Sequence, residues 1–356
     1  MIFTGRSGSV PPSVYQPEPL PVIPNDPEFP NCWGLHNTGQ FPGSVEDIDI
    51  DAPEAWTFTT GDPSVIIVVI DVGVDQTHSD LNQVPGNDLT DEPGAGRDGG
   101  PVNACDNHGT AVAGVITAII NNSRGTVGVA PGARIASARA MKSIDCDGRW
   151  SSEDIFTIAA LDWAQSIGAR ITNNSNFYDI PISDMIEEKY QETRDNGMIH
   201  FAIAGNESRR FVEFPAALPS VNAVSAITWS GDRASFSNWG PEVAFAAPGD
   251  AIFTTDRSGA AGYSGDDITI GSGTSFAAPM LAGAAALLLS QFPSLTVDRL
   301  EGYLELSAVD LGLPGVDEFF GKGLANAHIA LKVAAIEAIF IDGFESGDVS
   351  SWSATE

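Results

Sequence analysis

Four polar residues of this sequence could together carry out nucleophilic catalysis, although each alone has an ordinary structural explanation. Asp71 ends an apolar run, and His108 precedes a stretch of small residues. Asn206 follows a second apolar run, and Ser275 lies between glycines and alanines. A strand-end Asp, a lone His, a turn Asn and a Ser helix cap are all common in proteins. In chain order, however, Asp, His and Ser match one known order of a catalytic triad.

The chemistry that such a set could perform is acyl transfer. The Ser hydroxyl would attack a carbonyl, the His imidazole would take its proton, and the Asp carboxylate would orient the imidazole. An amide such as that of Asn206 could donate a hydrogen bond to the oxyanion that develops. The segment around Ser275 differs from the G-x-S-x-G turn of α/β-hydrolases, because Ala277 replaces the second glycine. The pattern therefore argues against that fold.

The segments around these residues predict a parallel sheet covered by helices. The β-branched run over 64–71 is typical of a strand buried on both faces. Further strands are predicted at 133–141, 169–173 and 198–204, and helices at 111–121, 152–167 (with Ser152 as N-cap), 184–196, 274–291 and 296–307. Alternating strands and helices indicate an α/β fold with helices on both faces of the sheet. Asp71 would then lie at the carboxyl edge of the sheet, where such folds bind ligands.

The charge of the chain excludes several classes of partner. The 356 residues include 17 Lys and Arg against 47 Asp and Glu, which gives a net charge of −30. So few cations argue against nucleic acid and against an anionic membrane surface. The most apolar stretch, 276–289, is too short to span a membrane and contains Pro279 and Gly283. We expect no nucleic-acid partner, no membrane insertion and a monomer that repels its own copies.

Several motifs resemble those of the subtilisin-like serine peptidases, the subtilase family. The matching segments occur in the family's order, at 69–75 (VIDVGVD), 108–114 (HGTAVAG), 129–133 (VAPGA), 204–206 (AGN), 273–279 (GTSFAAP) and 321–327 (GKGLANA). The resemblance covers roughly residues 25–335, and several independent motifs in the family's order make a chance match improbable. The resemblance implies a three-layer α/β/α sandwich with a mostly parallel central sheet of about seven strands. It also implies a serine endopeptidase that hydrolyses peptide bonds of proteins through an acyl-enzyme.

The resemblance also assigns catalytic roles. Ser275 would be the nucleophile, His108 the general base and acid, and Asp71 the partner of the imidazole. Asn206 and the backbone N–H of Ser275 would form the oxyanion hole. One departure lies next to the triad, because Val72 stands where the family has Thr or Ser. The carboxylate therefore lacks a hydroxyl donor, which we expect to tune the triad without abolishing it.

The substrate-binding residues implied by the resemblance contain a second departure. Ser175, Asn176 and Phe177 match the substrate strand, but Phe177 replaces a glycine that normally lines the P1 pocket. We expect a narrowed pocket or a rearranged strand. Gly205 and Glu207 flank Asn206, and Glu207 could favour a basic P1 residue. The alternative for Glu207 is a solvated loop residue.

The resemblance further implies structural calcium and no organic cofactor. Calcium prefers several hard oxygen ligands of mixed type. The carboxylates of Asp26 and Asp80 and the amide of Asn122 match the family's ligands, and the family's carbonyl ligands match Ile120, Arg124 and Thr126. Ordinary turn chemistry is the alternative for Asp80 and Asn122.

The three cysteines leave two alternatives open. All three could be buried thiols, or Cys105 and Cys146 could form a disulfide that leaves Cys32 unpaired. In a subtilase fold both Cys105 and Cys146 should lie at the active-site face, so that a disulfide is geometrically feasible. Such a disulfide would fit an oxidising, extracytoplasmic setting.

The chain is predicted to contain one catalytic domain with two short flanking segments. Residues 1–24 form a Pro-rich arm or linker, 25–337 the peptidase domain, and 338–356 a tail that is a sorting signal or a disordered end. Residues 1–6 lack the basic start and long apolar run of a signal peptide. We nevertheless expect a secreted or cell-surface protein.

Two alternative functions fit the same residues. The first is a catalytically silent binding module on this fold, in which Phe177 blocks the pocket. Retention of all four catalytic residue types argues against it. The second is a processing peptidase with one or few substrates.

Overall fold

The structure is a computed structural model that describes residues 19–93, 96–146, 148–178 and 183–345. Most of the predicted arm, 1–24, and the end of the predicted tail, 346–356, lie outside the described residues. The predicted boundary at residue 338 lies within the last helix, which spans Ala327–Glu345.

A seven-stranded parallel sheet forms the centre of the described structure. Its strands are β1 (Ile66–Asp71), β2 (Gln83–Asp88), β3 (Arg134–Arg139), β6 (Ile171–Asn174), β7 (Ile199–Ile203), β8 (Asn222–Ile227) and β9 (Val243–Pro248). The spatial order is β2-β3-β1-β6-β7-β8-β9, and every neighbouring pair is parallel. Two antiparallel hairpins are separate from this sheet: β4 (Lys142–Ser143) with β5 (Trp150–Ser151), and β10 (Ile252–Thr255) with β11 (Ile268–Gly271).

Helices cover both faces of the sheet. They are α1 (Ala52–Ala55), α2 (His108–Thr117), α3 (Asp154–Ser166), α4 (Asp184–Asp195), α5 (Thr274–Gln291), α6 (Val297–Ser307) and α7 (Ala327–Glu345). Side chains of β1 alternate between two cores because successive strand residues point to opposite faces. Ile67 and Val69 pack with α1, α2, α5, α6 and α7, whereas Val68 and Ile70 pack with α3 and α4. These layers confirm the predicted three-layer α/β/α sandwich.

Helix α5 is the core helix of the larger layer. Within the part of the chain that the structure describes, it alone is long and apolar enough to cross a membrane by length and composition. However, 89% of its residues are buried inside the protein. Gly283 allows this close packing, since a Cβ there would lie 2.5 Å from the Cβ of Val129. The predicted limits of this helix, 274–291, are confirmed.

Two other predictions were wrong in detail. The helix predicted at 111–121 begins at His108 and ends at Thr117, because Ala118 already has an extended backbone. Ser152 is not the N-cap of α3, which is Glu153. The Ser152 hydroxyl instead donates to the carbonyl of Ala140, 2.7 Å away.

A disulfide connects the β4–β5 hairpin to the segment before α2. It joins Cys105 and Cys146, which are 41 positions apart. Cys32 is a buried free thiol, and burial raises its pKa to about 12. The crosslink therefore closes a loop that contains α2 and β3.

We predict that replacing both cysteines of the disulfide by serine lowers the free energy of unfolding by about 4 kcal/mol, the chain-entropy value for a loop of this length. Equilibrium denaturation of the wild type and of the Cys105→Ser, Cys146→Ser variant measures this difference. As a control, the wild type is denatured in the presence of a reductant that breaks the disulfide. Its free energy of unfolding should then match that of the variant. A difference below about 1 kcal/mol would contradict the prediction.

Candidate active site

Three elements converge at the carboxyl edge of the sheet. Asp71 is the last residue of β1, His108 is the first residue of α2, and Ser275 is the second residue of α5. Strand β1 lies where the strand order reverses, with β3 on one side and β6 on the other. Such a switch point forms a crevice outside the strand ends.

Asp71 and His108 form a short ionic hydrogen bond. The imidazole Nδ1 lies 2.9 Å from Oδ2 and 3.1 Å from Oδ1 of the carboxylate. Asp71 is 1% exposed, whereas the His108 side chain is 16% exposed. Gly109 permits the contact because a Cβ there would lie 2.4 Å from the carbonyl oxygen of Gly73. The carboxylate also accepts a hydrogen bond from the Val72 backbone N–H at 2.8 Å.

Two opposing effects set the pKa of His108. Burial lowers it, but the charge of Asp71 and the hydrogen bond to Asp71 outweigh burial, so the pKa lies above its usual 6.5. The pair therefore favours the imidazolium, the form that His108 takes after accepting a proton.

Ser275 is 6% exposed, and its hydroxyl faces the substrate strand in this structure. The hydroxyl donates to the carbonyl of Ser175 at 3.1 Å, and the Ser175 hydroxyl donates back to the carbonyl of Ser275 at 2.9 Å. Among the described residues, no hydrogen bond joins Ser275 to His108. Catalysis would need the Ser275 side chain to change rotamer, and hydrogen bonds of this kind often form only in the substrate complex.

The amide of Asn206 is held by Thr274. Its oxygen accepts hydrogen bonds from the backbone N–H and from the hydroxyl of Thr274, both at 2.9 Å. Asn206 is exposed to solvent. Because Thr274 occupies the amide oxygen, the amide can offer its Nδ2 group as a hydrogen-bond donor. The sequence analysis missed Thr274. Its position directly before Ser275 was the available signal.

Two aromatic rings lie close to the imidazole of His108. Trp150 lies 5.7 Å from it between ring centroids, and Phe276 lies 6.4 Å from it. Phe177 packs edge-on against Trp150 at 5.7 Å, and its carbonyl accepts a hydrogen bond from the Trp150 indole. The sequence analysis missed Trp150, because nothing local links the β4–β5 hairpin to His108.

The side chains of Ser175 and Asn176 are buried and already engaged within the protein. Asn176 is 1% exposed and donates to the carbonyl of Ile70 at 2.7 Å. Ser175 is fully buried against Ser275. Contact of these residues with a substrate would therefore have to use their backbone.

The loop after β7 is fixed by Asn238, a residue that sequence reasoning also missed. Gly205 has φ +113°, and a Cβ there would lie 2.2 Å from Nδ2 of Asn238. The carboxylate of Glu207 accepts hydrogen bonds from Nδ2 of Asn238 at 2.7 Å and from the backbone N–H of Asn206 at 3.1 Å. Its side chain is 40% exposed and already lies 3.8 Å from Nε of Arg209, a cation of the same loop.

The loop after α2 brings the predicted calcium ligands together. Asp26 accepts hydrogen bonds from the backbone N–H groups of Asn121 and Asn122 at 2.7 and 3.1 Å. Asp80 accepts from the amide of Asn122 at 2.5 Å and from the backbone N–H of Thr126 at 3.4 Å. Thr126 is fully buried. In the same segment, the side chain of Ile120 packs against the core and Arg124 donates to Ser79.

The burial and packing of Asp80 beside this loop suit the binding of a hard cation. Burial, with a smaller contribution from the charge of Asp26, raises the pKa of Asp80 to about 6. A Cβ on Gly125 would lie 2.2 Å from Oδ2 of Asp80, so glycine leaves space beside that oxygen. Within the described ranges, no cluster of three or more His, Cys, Asp or Glu residues is present. Two buried carboxylates next to an amide side chain suit calcium better than a softer metal, although Asn122 here directs its Nδ2 group to Asp80 and its oxygen to the backbone N–H of Arg124.

Comparisons with known proteins agree with the class of protein that this fold and site define. A model of the "Subtilase family" matches residues 62–323. The chain is 34% identical to the halolysin-like extracellular serine protease Nep of Natrialba magadii, over 87% of the chain and 53% of that relative. It is 32% identical to subtilisin DY of Bacillus licheniformis, over 76% of the chain and 91% of that relative.

Solved structures show the same similarity. A protease from Pseudoalteromonas arctica is 27% identical, with a TM-score of 0.75 over 87% of this chain and 99% of that one. The chain spans only about half the length of the Natrialba relative. The chain belongs to the subtilase family, and it is thereby a subtilisin-like serine endopeptidase by class.

We predict that NMR titration places the midpoint of His108 above pH 6.5, because Asp71 stabilises the imidazolium. The imidazolium then persists to higher pH, and the neutral base appears only as the pH rises through this midpoint. Asp71→Asn should lower the midpoint. His200 is an internal control, since burial lowers its pKa to about 3 and it should stay neutral from pH 5 to 9. A wild-type midpoint at or below 6.5 would contradict the prediction.

Proposed function

We propose that this chain hydrolyses peptide bonds of proteins with Ser275 as nucleophile, His108 as general base and acid, and Asp71 as partner of the imidazole. The observation that carries the proposal is the 2.9 Å contact between His108 and Asp71 at the switch point of the sheet. Ser275 at the start of a buried helix next to this pair supplies the third group.

The reaction begins with the Ser275 hydroxyl leaving the Ser175 carbonyl and turning towards His108. As the oxygen of Ser275 attacks the scissile carbonyl, its proton passes to Nε2 of His108. Asp71 stays ionised and stabilises the imidazolium. His108 then protonates the departing amine, which leaves an ester on Ser275, and water activated by the same imidazole hydrolyses that ester.

Two donors stabilise the oxyanion in this proposal. One is the backbone N–H of Ser275, which belongs to the first turn of α5 and points out of the helix N-terminus. The other is the Nδ2 group of Asn206, whose orientation follows from the two hydrogen bonds of Thr274 to the amide oxygen. A donor fixed before the reaction is worth more than one that must reorient.

The absence of a hydroxyl at position 72 leaves Asp71 functional. The backbone N–H of Val72 still donates to the carboxylate. The carboxylate therefore keeps one donor besides the imidazole, and we propose that Val72 tunes the triad without abolishing it.

A processing peptidase of narrow specificity is the second candidate function. The observation in its favour is the contact between Phe177 and Trp150 beside the imidazole, which fills space along the cleft with rigid rings. Both candidates take protein or peptide substrates.

We further propose a secreted monomer, with peptidase domain 25–337, without nucleic-acid partners. The word "extracellular" in the name of the Natrialba relative and the disulfide support secretion.

Calcium is the structural ion that we propose for the loop after α2. Asp26, Asp80 and Asn122 would hold it, with the carbonyls of Ile120, Arg124 and Thr126. When bound, the ion supplies positive charge that offsets two buried carboxylates, and it takes no part in the reaction.

We predict that Ser275→Ala abolishes casein hydrolysis, with kcat reduced on the order of 10⁶-fold, because the members of a triad act as a unit. Purified wild type, Ser275→Ala and the control Ser166→Ala, a serine exposed on α3, are compared with calcium present. A sulfonyl fluoride should label the wild type and the control but not Ser275→Ala. If the folded wild type neither cleaves casein nor reacts with the reagent, the silent binding module replaces the peptidase.

We predict that calcium raises the thermal unfolding midpoint and that a chelator reverses the effect. At a concentration 100 times the dissociation constant, a bound ion adds about 2.7 kcal/mol to the free energy of unfolding. Asp80→Asn should remove most of the response, whereas magnesium should not replace calcium in the wild type. An equal calcium response in wild type and Asp80→Asn would refute this site.

A further inference from the structure

A fully buried arginine lies beside the proposed catalytic pair. Arg139 ends β3 and is the register partner of Asp71 in the neighbouring strand β1. Its side chain has no solvent-exposed surface. Burying an arginine is costly unless every donor is paired, so the partners of Arg139 indicate what it organises.

All three guanidinium nitrogens of Arg139 have partners, and the number of acceptors equals the number of its N–H groups. Nε donates to the carbonyl of Val72 at 3.0 Å. Nη1 donates to Asp88 at 3.0 Å and to Thr90 at 2.8 Å. Nη2 contacts Glu92 and, at 3.3 Å, Asp106.

Two of these partners flank the proposed catalytic residues. Val72 directly follows Asp71, and Asp106 comes two residues before His108. Asp106 is fully buried, and its Oδ2 also accepts hydrogen bonds from the backbone N–H groups of Val102 and Asn103. One rigid planar group therefore bridges the turn after β1 and the segment that leads into α2.

We propose that Arg139 is a positioning residue that fixes the separation between Asp71 and His108 by holding the backbone beside each of them. The inference rests on the proposed peptidase function. It follows from geometry, since the guanidinium touches neither of the two side chains and acts through Val72 and Asp106. Lysine cannot replace it, because an ammonium is a point charge without the planar fork that reaches acceptors in several directions.

The test compares Arg139→Lys with Arg194→Lys. Arg194 is the matched control, because it also pairs with carboxylates, Glu301 and Asp298, but joins α4 to α6. We expect Arg139→Lys to lower kcat for a peptide substrate by about tenfold or more with KM little changed, since small misplacements of catalytic groups can cost 10²-fold. Arg194→Lys should lower the unfolding midpoint and leave kcat unchanged when both are assayed well below that midpoint.

A spectroscopic readout makes the test independent of turnover. The chemical shift of the Nδ1 proton of His108, which Asp71 accepts, should move in Arg139→Lys and stay unchanged in Arg194→Lys. If Arg139→Lys does not fold, Asp106→Asn replaces it as the test variant. It should change the chemical shift of the same Nδ1 proton, because it removes the charge of the Arg139 partner nearest to α2. An unchanged kcat and an unchanged shift in the folded Arg139 or Asp106 variant would overturn the inference. A wild type without peptidase activity would refute the proposed function instead.

Discussion

The site depends on how closely a helix can approach the end of a strand. Helix α2 starts against the turn after β1, and the fit leaves no room for a side chain at Gly109, whose Cβ would lie 2.4 Å from the Gly73 carbonyl. This contact brings the first residue of the helix within hydrogen-bond distance of the last residue of the strand. Helix α2 is then buried along its length and packs against α5, so the position of Ser275 at the start of α5 follows from the same contact.

The buried carboxylates beside the site have cationic or N–H partners close by, although the chain as a whole is strongly acidic. Asp71 is matched by an imidazole whose protonated form it favours, and Asp106 is matched by Arg139. A buried carboxylate is costly unless cations or N–H donors surround it, and Asp71 and Asp106 each have such partners. The electrostatics next to the site are therefore set by a few local pairs, within a chain whose net charge is −30.

The sequence allowed the parts of the fold with strong local signals to be predicted. The apolar run that forms β1 and the alanine- and leucine-rich α5 were found with nearly correct limits. Strands β8 and β9 were missed because their alanines and polar residues carry little β-branched signal. The start of α2 was placed too late, since glycine and histidine have low helix propensity and tertiary contacts decided the outcome.

Within the candidate site, motif order predicted Asp71, His108, Asn206 and Ser275, whereas several residues that contact this site come from far along the chain. Trp150 contacts His108 from a separate hairpin, and Asn238 fixes Glu207 from 31 positions away. No local pattern encodes such contacts, because they depend on how the loops after several strands meet at one edge. The rotamer of Ser275, which turns to Ser175, is likewise a property of the packed cleft.

The placement of Ser275 at the start of α5 also has a consequence during protein synthesis. The ribosome adds Asp71 and His108 to the chain before Ser275, and the helix of Ser275 packs both against strands made earlier and against α6 and α7, which are made later. In the proposed peptidase, a nascent chain therefore lacks its nucleophile until residue 275 has been translated. Under the proposed mechanism, all seven strands of the central sheet are synthesised before the residue that could start self-cleavage of the nascent polypeptide.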